Sequence, residues 1–244
     1  MDVTILYFTA NVEQESFEEK VRQNILKNMG DLPLISVSQK PINFGKNICV
    51  GIHDPCYFNE YRQVLIGLEK INTPYVIRAE ADFLYPPEYF QFRPTELGKC
   101  YRYFGVWVCY YRNINKKNPY FYFKGYSNGA EVIDREMWMD YIKNMLDGKP
   151  EWSSKEDQPS KRHWKIIKTD KNYSWTSENP AITFKTRNNI SPYTGLWKNV
   201  RPQKDLAYWG NIKDLRKRMF GDEKEEGKAT LNGSNSPATA NKSI

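Results

Sequence analysis

Apolar residues along the chain form alternating strand-like runs and helix-like stripes, and their order predicts an α/β fold. Residues 3–8 are a nearly continuous apolar run, which is typical of a strand covered on both faces. The next segment carries apolar side chains at helical spacing, at Phe17, Val21, Ile25 and Met29. A second apolar run follows at residues 34–38. A strand, a helix and a strand in this order predict a parallel βαβ unit.

The first predicted helix carries signals at both of its ends. Ser16, with Glu19 three residues later, matches a capping box, which predicts that Ser16 caps the start of the helix. Gly30 follows the last apolar position of the stripe and predicts the end of the helix.

The most informative stretch is residues 59–90, which begin with a second amphipathic helix. Residues 60–71 predict this helix because apolar side chains recur on one face, at Tyr61, Val64, Leu65, Leu68 and Ile71. The Thr-Pro pair at residues 73–74 ends it, since the residue before a proline is disfavoured in helical conformation.

An acidic pair follows the next predicted strand. Residues 75–77 are apolar and rich in β-formers, and Glu80 and Asp82 come after them. Ligands bind outside the carboxyl ends of strands in open α/β sheets, which is where this pair lies. Mg²⁺ and Mn²⁺ bind carboxylate oxygens together with substrate phosphate oxygens, so the pair is a candidate site for a metal held against a diphosphate. The alternative is a solvated acidic turn, because such pairs are common on protein surfaces.

The order of these segments resembles the nucleotide-sugar-binding core of GT-A glycosyltransferases. The resemblance depends on Arg-Gln at residues 62–63, on Glu80-x-Asp82, and on Leu-Tyr-Pro-Pro at residues 84–87. The chain is most similar to small glycosyltransferase-like proteins of phage or metagenomic origin that carry an acid-x-acid-x-Leu-Tyr-Pro-Pro signature. The similarity covers most of residues 3–146.

The resemblance implies a metal-dependent enzyme in which Glu80 and Asp82 hold Mn²⁺ or Mg²⁺. Two departures from the family pattern bear on this expectation: the first acid is glutamate rather than aspartate, and Ala81 stands where a third carboxylate is often found. In some GT-A enzymes a histidine from the C-terminal part is a further metal ligand. His163 is the histidine of this chain that corresponds to it.

The resemblance also implies where a nucleotide-sugar donor binds. The ends of the first two strands hold the nucleoside in this family, which points to Thr9, Asn11 and Ser38. A basic side chain near the donor phosphates corresponds to Arg62, since arginine can bind phosphate through two hydrogen bonds. The alternatives are ordinary polar loop groups for the first three residues and a surface helix cation for Arg62.

Inverting GT-A enzymes deprotonate the acceptor hydroxyl with an acid near the start of a later helix. Glu131 and Asp134 precede the apolar stripe of a helix predicted at residues 137–146, and they are the candidates for this base. The alternative is that both acids are favoured there by the helix dipole, with Asp134 as the N-cap residue.

Residues 101–126 are rich in aromatic side chains interleaved with arginine and lysine. Two strand-like runs, at residues 100–111 and 119–124, flank a polar segment and predict an aromatic β-hairpin. A flexible turn is predicted after it, at residues 125–130. Aromatic rings with cations can stack sugars or bases, but cross-strand aromatic pairs also stabilise sheets without any ligand.

The composition suits one folded domain followed by a tail. The chain has 244 residues, of which 40% are hydrophobic, enough for one buried core. We predict a single domain over residues 1–220 and a disordered tail over residues 221–244, where small and polar residues prevail. The net charge of +7 favours a polyanionic partner such as a nucleotide diphosphate or nucleic acid, although many other proteins are as basic.

The cysteines and the apolar segments indicate the compartment. The four cysteines lack zinc-type spacing and predict reduced thiols. No segment approaches the ~20 apolar residues that span a bilayer, and no signal peptide is visible. We therefore expect no transmembrane segment and a cytoplasmic protein, located in the host cytoplasm if it is phage-encoded.

Together, the residues and the resemblance predict a metal-assisted glycosyltransferase that uses a nucleotide diphosphate-sugar, in particular a UDP-sugar. The expected acceptor is a hydroxyl group of hydroxymethylpyrimidine DNA or of a glycan. The alternative is a non-catalytic nucleic-acid-binding protein built on the same scaffold. The sequence indicates no particular oligomeric state.

Overall fold

The computed structural model describes residues 2–110, 119–155, 171–186, 188–190 and 196–221. Its helices are α1 (Glu15–Asn28), α2 (Tyr57–Leu68), α3 (Pro87–Gln91), α4 (Arg135–Leu146) and α5 (Ile212–Phe220). Its strands are β1 (Val3–Thr9), β2 (Leu34–Ser38), β3 (Lys46–Cys49), β4 (Tyr75–Glu80), β5 (Phe83–Leu84), β6 (Cys100–Tyr110), β7 (Tyr122–Asp134), β8 (Asn172–Trp175), β9 (Ala181–Lys185), β10 (Asp205–Leu206) and β11 (Gly210–Asn211).

Nine strands of the described chain form one sheet in the order β3-β2-β1-β4-β7-β6-β9-β5, with β8 also paired to β6. The pairs from β3 to β4 are all parallel, and β8 and β9 are parallel to β6. β7 is antiparallel to both β4 and β6, and β5 is antiparallel to β9. The predicted α/β class is confirmed: a GT-A-like, Rossmann-type, mostly parallel sheet flanked by helices.

The strand order creates a switch point between β1 and β4. After β1 the chain moves outward through β2 and β3, and α2 then returns it to β4 on the other side of β1. Phe8 is opposite Glu80 in this pairing, so the carboxyl ends of both strands lie at the same edge. Connections that leave in opposite directions open a crevice at such a point, where α/β proteins bind ligands.

Helices cover both faces of the sheet. α1 and α5 pack on one face, where Phe17, Val21 and Ile25 join the strand residues Val3, Ile5 and Tyr7 in one core cluster. α2 and α4 pack on the other face around a second cluster, in which α2 contributes Tyr61, Val64, Leu65 and Leu68. The apolar stripes predicted for α1 and α2 are therefore confirmed as the buried faces of these helices.

The helix starts differ from those predicted. α1 begins at Glu15, and the carbonyl of Gln14 already accepts hydrogen bonds from the backbone N–H groups of the first turn. Ser16 therefore lies inside the helix and is exposed, so the predicted capping box is wrong. Glu19 instead accepts a 2.7 Å hydrogen bond from Arg22 Nη2. α2 begins at residue 57, three residues before the predicted start.

β6 and β7 form the predicted aromatic hairpin, and residues 111–118 between them lie outside the described part of the chain. The turn predicted at residues 125–130 is wrong, because these residues belong to β7. The pairing of β7 with β6 contains several register shifts, and Gly125 has φ +75°. Irregular strands accommodate glycine and small polar residues, which by sequence alone predict a turn.

The domain division stays a prediction. α5 ends at residue 220, and residues 222–244, for which we predict a disordered tail, lie outside the described residues. All four cysteines are free, as predicted. None of the described helices combines the length and the apolar character needed to span a membrane.

Gly67 of α2 allows this helix to pack closely against β1 and β2. A Cβ atom at this position would lie 2.3 Å from Leu6 Cδ1 and 3.1 Å from Val37 Cγ2. We expect Gly67→Ala to lower the free energy of unfolding by about 1–3 kcal/mol, because overpacking outweighs the ~1 kcal/mol gain in helix propensity. Urea denaturation measures this change.

Ser16→Ala is the control, since Ser16 is an exposed helical residue that caps nothing. It should change the free energy of unfolding by less than about 0.5 kcal/mol. A Gly67→Ala variant as stable as the wild type would contradict the close approach of α2 to the sheet.

Candidate functional site

A cavity of about 460 Å³ opens at the carboxyl ends of β1 and β4, at the switch point of the sheet. Its described lining includes six carboxylates, from Glu13, Glu18, Asp54, Glu60, Glu80 and Asp82. Three basic side chains also line it, from Arg78, Lys124 and Lys185. The predicted acid pair therefore lies in a cavity with further acids from the loops around it and from α1 and α2.

Arg78 of β4 is a buried charge in the wall of this cavity, with 2% of its surface exposed. Its Nη2 donates to Glu60 Oε1 at 2.7 Å, and its Nε donates to Glu80 Oε1 at 2.8 Å. The guanidinium carbon lies 5.1–5.9 Å from the ring centres of Phe8, Tyr61 and Trp138. A charge at this depth is stable only when it is paired, so Arg78 holds both glutamates in place.

The two acids of the predicted pair are held by different partners. Glu80 shares its Oε1 with Arg78, whereas Asp82 Oδ2 accepts a 2.7 Å hydrogen bond from Asn189 Nδ2. The first acid is therefore fixed by its own strand, and the second by the segment that follows β9.

Burial makes the acids of the cavity reluctant to ionise. Burial raises the pKa of Asp82 to about 7, the Glu80 carboxylate adds to this, and Lys185 and Lys124 counteract it. Burial also raises the pKa of Glu60 to about 7, against the attraction of its arginine partner. The carboxyl groups of the cavity therefore outnumber its three basic side chains, but Asp82 and Glu60 are only partly ionised near pH 7.

A buried tyrosine bridges β4 and β7 where their backbone pairing stops. The two strands pair as far as Ile77 and Val132. Beyond this point the Tyr89 hydroxyl lies 2.8 Å from the carbonyl oxygen of Arg78 and 3.1 Å from that of Glu131. The Tyr89 side chain therefore connects the two strands beyond the end of their backbone pairing, behind the cavity-lining residue Arg78.

A second tyrosine bridge lies closer to the acid pair. The Tyr85 hydroxyl accepts from the backbone N–H of Glu80 at 3.0 Å and donates to the carbonyl of Gly129 at 2.6 Å. A Cβ atom on Gly129 would lie 2.4 Å from Phe83 Cε2 and 2.6 Å from Glu80 Oε2, so only glycine fits there. The Leu-Tyr-Pro-Pro segment thus positions Glu80 through a hydroxyl that sequence reasoning assigned to no site.

The predicted nucleoside residues are near one another, but only one of them lines the cavity. Thr9 does so, and its hydroxyl lies 3.0 Å from each carboxylate oxygen of Glu18. Asn11 Oδ1 accepts from the backbone N–H groups of Gln39 and Lys40, and therefore shapes the loop after β2. Gln39 lines the cavity and was missed from the sequence.

Ser38 is fully buried and does not line the cavity. Its hydroxyl donates to the carbonyl of Lys40 at 2.6 Å and accepts from Asn47 Nδ2 at 2.9 Å. Arg62 also lies away from the lining, where its Nη2 donates to the carbonyl of Pro150 at 3.1 Å. His163 lies outside the described residues.

The two predicted base residues lie at different positions along β7, relative to the cavity. Glu131 is buried, and its Oε1 accepts from Arg102 Nε at 3.0 Å. Asp134 accepts from the backbone N–H of Met137 at 2.8 Å and so caps α4. It is opposite Tyr75 at the amino end of β4, which places it at the far edge of the sheet from the acid pair.

Sequence reasoning missed all three basic side chains of the cavity. Arg78 did carry a signal, because an arginine inside the apolar run Tyr-Val-Ile-Arg-Ala-Glu needs a buried partner. Lys124 and Lys185 carried none, since each belongs to a strand that reaches the cavity only through the order of the sheet.

The residues present suit a metal ion bound together with a diphosphate. Within the described ranges, no group of three or more His, Cys, Asp or Glu side chains is arranged to hold a metal ion. Mg²⁺ and Mn²⁺ commonly take one or two carboxylates and complete their shells with phosphate and water oxygens. Glu80 and Asp82 offer such a pair, and a cation would offset the repulsion that raises the pKa of Asp82.

Glu18, in the wall of the cavity, makes a pH-dependent contribution to the stability of the folded protein. It is 1% exposed, and burial raises its pKa from 4.5 to about 7 in spite of the Thr9 hydrogen bond and the Arg22 charge. A carboxyl whose pKa is raised on folding stabilises the folded state fully below pH 4.5, and this contribution is lost as the pH rises to about 7. The full contribution is about 3 kcal/mol.

We expect Glu18→Gln to remove this part of the pH dependence. Relative to the wild type, the variant should gain up to about 3 kcal/mol of unfolding free energy between pH 5 and pH 8. Urea denaturation at several pH values measures the difference. Glu178→Gln, at an exposed carboxylate, is the control and should follow the wild-type profile. Parallel profiles for wild type and Glu18→Gln would contradict the prediction.

The Tyr85 bridge predicts a loss of stability when its hydroxyl is removed. Tyr85→Phe leaves the N–H of Glu80 and the carbonyl of Gly129 without their buried partner. We expect the free energy of unfolding to fall by about 1–3 kcal/mol. Tyr141→Phe on the partly exposed face of α4 is the control, with an expected change below about 0.5 kcal/mol. Equal losses in both variants would argue against the bridge.

No protein-family model matches the chain, and no curated protein matches its sequence. Solved structures that resemble it include a glycosyltransferase involved in the glycosylation of the major capsid of PBCV-1. That structure has a TM-score of 0.41 and 9% identity, over 75% of this chain and 93% of that one. The glycosyltransferase GlyE of Streptococcus pneumoniae TIGR4 has a TM-score of 0.37 and 11% identity, over 71% of this chain and 45% of that one.

The bifunctional IspDF from Campylobacter jejuni has a TM-score of 0.39 and 9% identity, over 62% of this chain and 46% of that one. The chain thus spans less than half of the length of IspDF and GlyE. Glycosyltransferases are therefore among the solved structures that it resembles, and its activity has to be argued from its own residues.

Proposed function

We propose that this protein is a glycosyltransferase that moves a sugar from a nucleotide diphosphate-sugar, a UDP-sugar in particular, to an acceptor hydroxyl with the help of Mn²⁺ or Mg²⁺. The observation that carries the proposal is the position of Glu80 and Asp82. They lie at the switch point of the sheet, in a cavity where Lys124 and Lys185 lie close enough to lower the pKa of Asp82. Carboxylates and lysines together suit a metal–diphosphate group.

The charge of the cavity supports a role for a divalent cation. Six carboxylates face three basic side chains in the described lining. A diphosphate without a cation would meet repulsion from the carboxylates that are ionised there, because like charges at short range in a partly buried site oppose each other strongly. A bound divalent cation would offset part of this repulsion and would stabilise the charge that develops on the leaving diphosphate.

The reaction breaks the bond between the anomeric carbon of the sugar and the diphosphate oxygen, and forms a bond from that carbon to the acceptor oxygen. The nucleoside diphosphate leaves with the electron pair, and the proton of the acceptor hydroxyl passes to a carboxylate base. Arg78 fixes Glu80, and Asn189 fixes Asp82, so both carboxylates are held before the donor binds.

The geometry changes which predicted residues take part in the proposal. Thr9 remains in the nucleoside region, with Gln39 added beside it, while Asn11 and Ser38 shape the loop behind them. Of the predicted phosphate and base residues, Arg62 and Asp134 lie away from the cavity and are not retained.

Glu131 remains the candidate base. It does not itself line the cavity, but it lies on β7 two residues from Gly129 of the cavity wall, and its Oε2 is buried with no hydrogen-bond partner among the described residues. His163 stays a prediction as a further metal ligand, and the cytoplasmic location also stays a prediction.

The acceptor is proposed to be hydroxymethylpyrimidine DNA or a glycan. The competing function is that of a non-catalytic nucleic-acid-binding protein on the same scaffold. Hydrolysis of the donor in the absence of acceptor separates the two functions, since a binding module would release no sugar.

The test is thermal melting of the purified protein with UDP, GDP and CDP, each with and without Mn²⁺. A nucleotide present at 100 times its dissociation constant should raise the free energy of unfolding by about 2.7 kcal/mol. We expect one nucleotide, UDP in particular, to stabilise the wild type only when the metal is present. Asp82→Asn should abolish this effect, whereas Asp140→Asn, at an exposed acid of α4, should preserve it.

Two results would overturn the proposal. The first is the absence of a shift for every combination of nucleotide and metal. The second is an equal shift in Asp82→Asn, which would show that the nucleotide binds elsewhere. A shift in melting temperature without hydrolysis of the donor would indicate a nucleotide-binding protein rather than an enzyme.

A further inference from the structure

Four aromatic side chains form a compact cluster at the outer part of the β6–β7 hairpin. They are Phe104, Phe123, Tyr126 and Trp197, and we call them the hairpin aromatic cluster. The ring centre of Phe104 lies 5.4 Å from that of Phe123, 4.9 Å from that of Tyr126 and 5.2 Å from that of Trp197. The rings are tilted or edge-on to one another, so the cluster supports a single exposed ring rather than a stack of parallel ones.

Trp197 is that exposed ring, with 48% of its surface accessible. Its backbone N–H donates to the carbonyl of Phe123 at 3.0 Å, which ties it to β7. A Cβ atom on Gly125 would lie 2.8 Å from the indole Nε1, so the glycine lets the indole approach the strand. A large aromatic side chain that packs against other rings and is left half exposed is typical of a binding surface.

The cluster is continuous with the cavity of the acid pair. The β7 residues beside it, Lys124, Tyr126, Ser127 and Asn128, all line that cavity. A ligand on the indole of Trp197 therefore reaches the acid pair along a strip that alternates aromatic and hydrogen-bonding side chains. Saccharides match such a strip, since a pyranose ring has an apolar C–H face and a rim of hydroxyl groups.

Two of the cations beside the cluster, Arg102 and Lys124, make side-chain contacts inside the protein. Arg102 Nε donates to Glu131 Oε1 at 3.0 Å, and the guanidinium carbon lies 5.2 Å from the ring centre of Tyr126. Lys124 Nζ donates to Ser127 Oγ at 2.7 Å. Nucleic-acid binding needs lysines and arginines that are available to phosphates. The Arg102–Glu131 ion pair and the carboxylates of the adjoining cavity favour an uncharged ligand over nucleic acid.

We propose that the hairpin aromatic cluster, with the indole of Trp197 as its platform, is the acceptor site and binds a neutral oligosaccharide. This inference rests on the proposed function and narrows its acceptor from DNA or glycan to an uncharged glycan. The apolar face of one sugar unit packs on the indole, and the amide of Asn128 and the hydroxyl of Ser127 lie on the path from it to the acid pair.

The probes are neutral oligosaccharides (maltopentaose, cellopentaose and chitotetraose), a twelve-nucleotide single-stranded DNA and a DNA duplex. Saturation-transfer NMR measures their binding to the wild type, Trp197→Ala, Trp197→Phe and Tyr208→Ala. Tyr208 is the matched control because it is 43% exposed and its hydroxyl contacts Asn28 of α1 rather than a residue of the hairpin aromatic cluster. The shift in melting temperature with UDP and Mn²⁺ reports whether each variant still binds the donor nucleotide.

We expect at least one oligosaccharide to bind the wild type and Tyr208→Ala equally, with binding at least fivefold weaker for Trp197→Ala and partly restored by Trp197→Phe. The shift with UDP and Mn²⁺ should be the same in all four proteins. Absence of oligosaccharide binding, binding that does not depend on Trp197, or DNA binding that does depend on it would each overturn the inference. If the UDP shift is absent while oligosaccharide binding depends on Trp197, the proposed function fails and the saccharide site stands.

Discussion

The structure depends on one buried charge, the guanidinium of Arg78. It lies in a central strand between three aromatic rings, where an unpaired charge would be strongly destabilising. Its two partners come from different elements, Glu60 from α2 and Glu80 from the end of β4. Removing one partner of a buried pair typically costs about 3–5 kcal/mol, so the packing of α2 and the position of the acid pair are linked through the same side chain.

A second constraint is that β4 and β7 stop pairing at Ile77 and Val132, halfway along β4. Backbone groups that lose their strand partners in a protein interior must find others. Tyr85 and Tyr89 supply them through their hydroxyls, which bridge backbone groups of the two strands. The backbone groups that these hydroxyls contact include those of Arg78, Glu80 and Gly129, which line the cavity, so the tyrosines satisfy the backbone and support the wall of the site.

The local pattern of the sequence predicted the elements well, because the apolar stripes of α1 and α2 and the runs of β1, β2 and β4 are set by which faces are buried. It was less successful where tertiary contacts override local signals. Ser16 resembles an N-cap residue, but the helix already begins before it. Residues 125–130 resemble a turn, but β6 provides an irregular strand partner for the segment.

For the candidate site, the sequence by itself determined that an acid pair follows a buried strand, and that this strand belongs to an α/β sheet. Only the tertiary structure decided which distant residues join that pair. The strand order brings Lys124 and Lys185 to the cavity and leaves Asp134 at the opposite edge. The physical reason is that periodicity records which face of an element is buried, whereas the neighbours of a side chain depend on how the strands are ordered across the sheet.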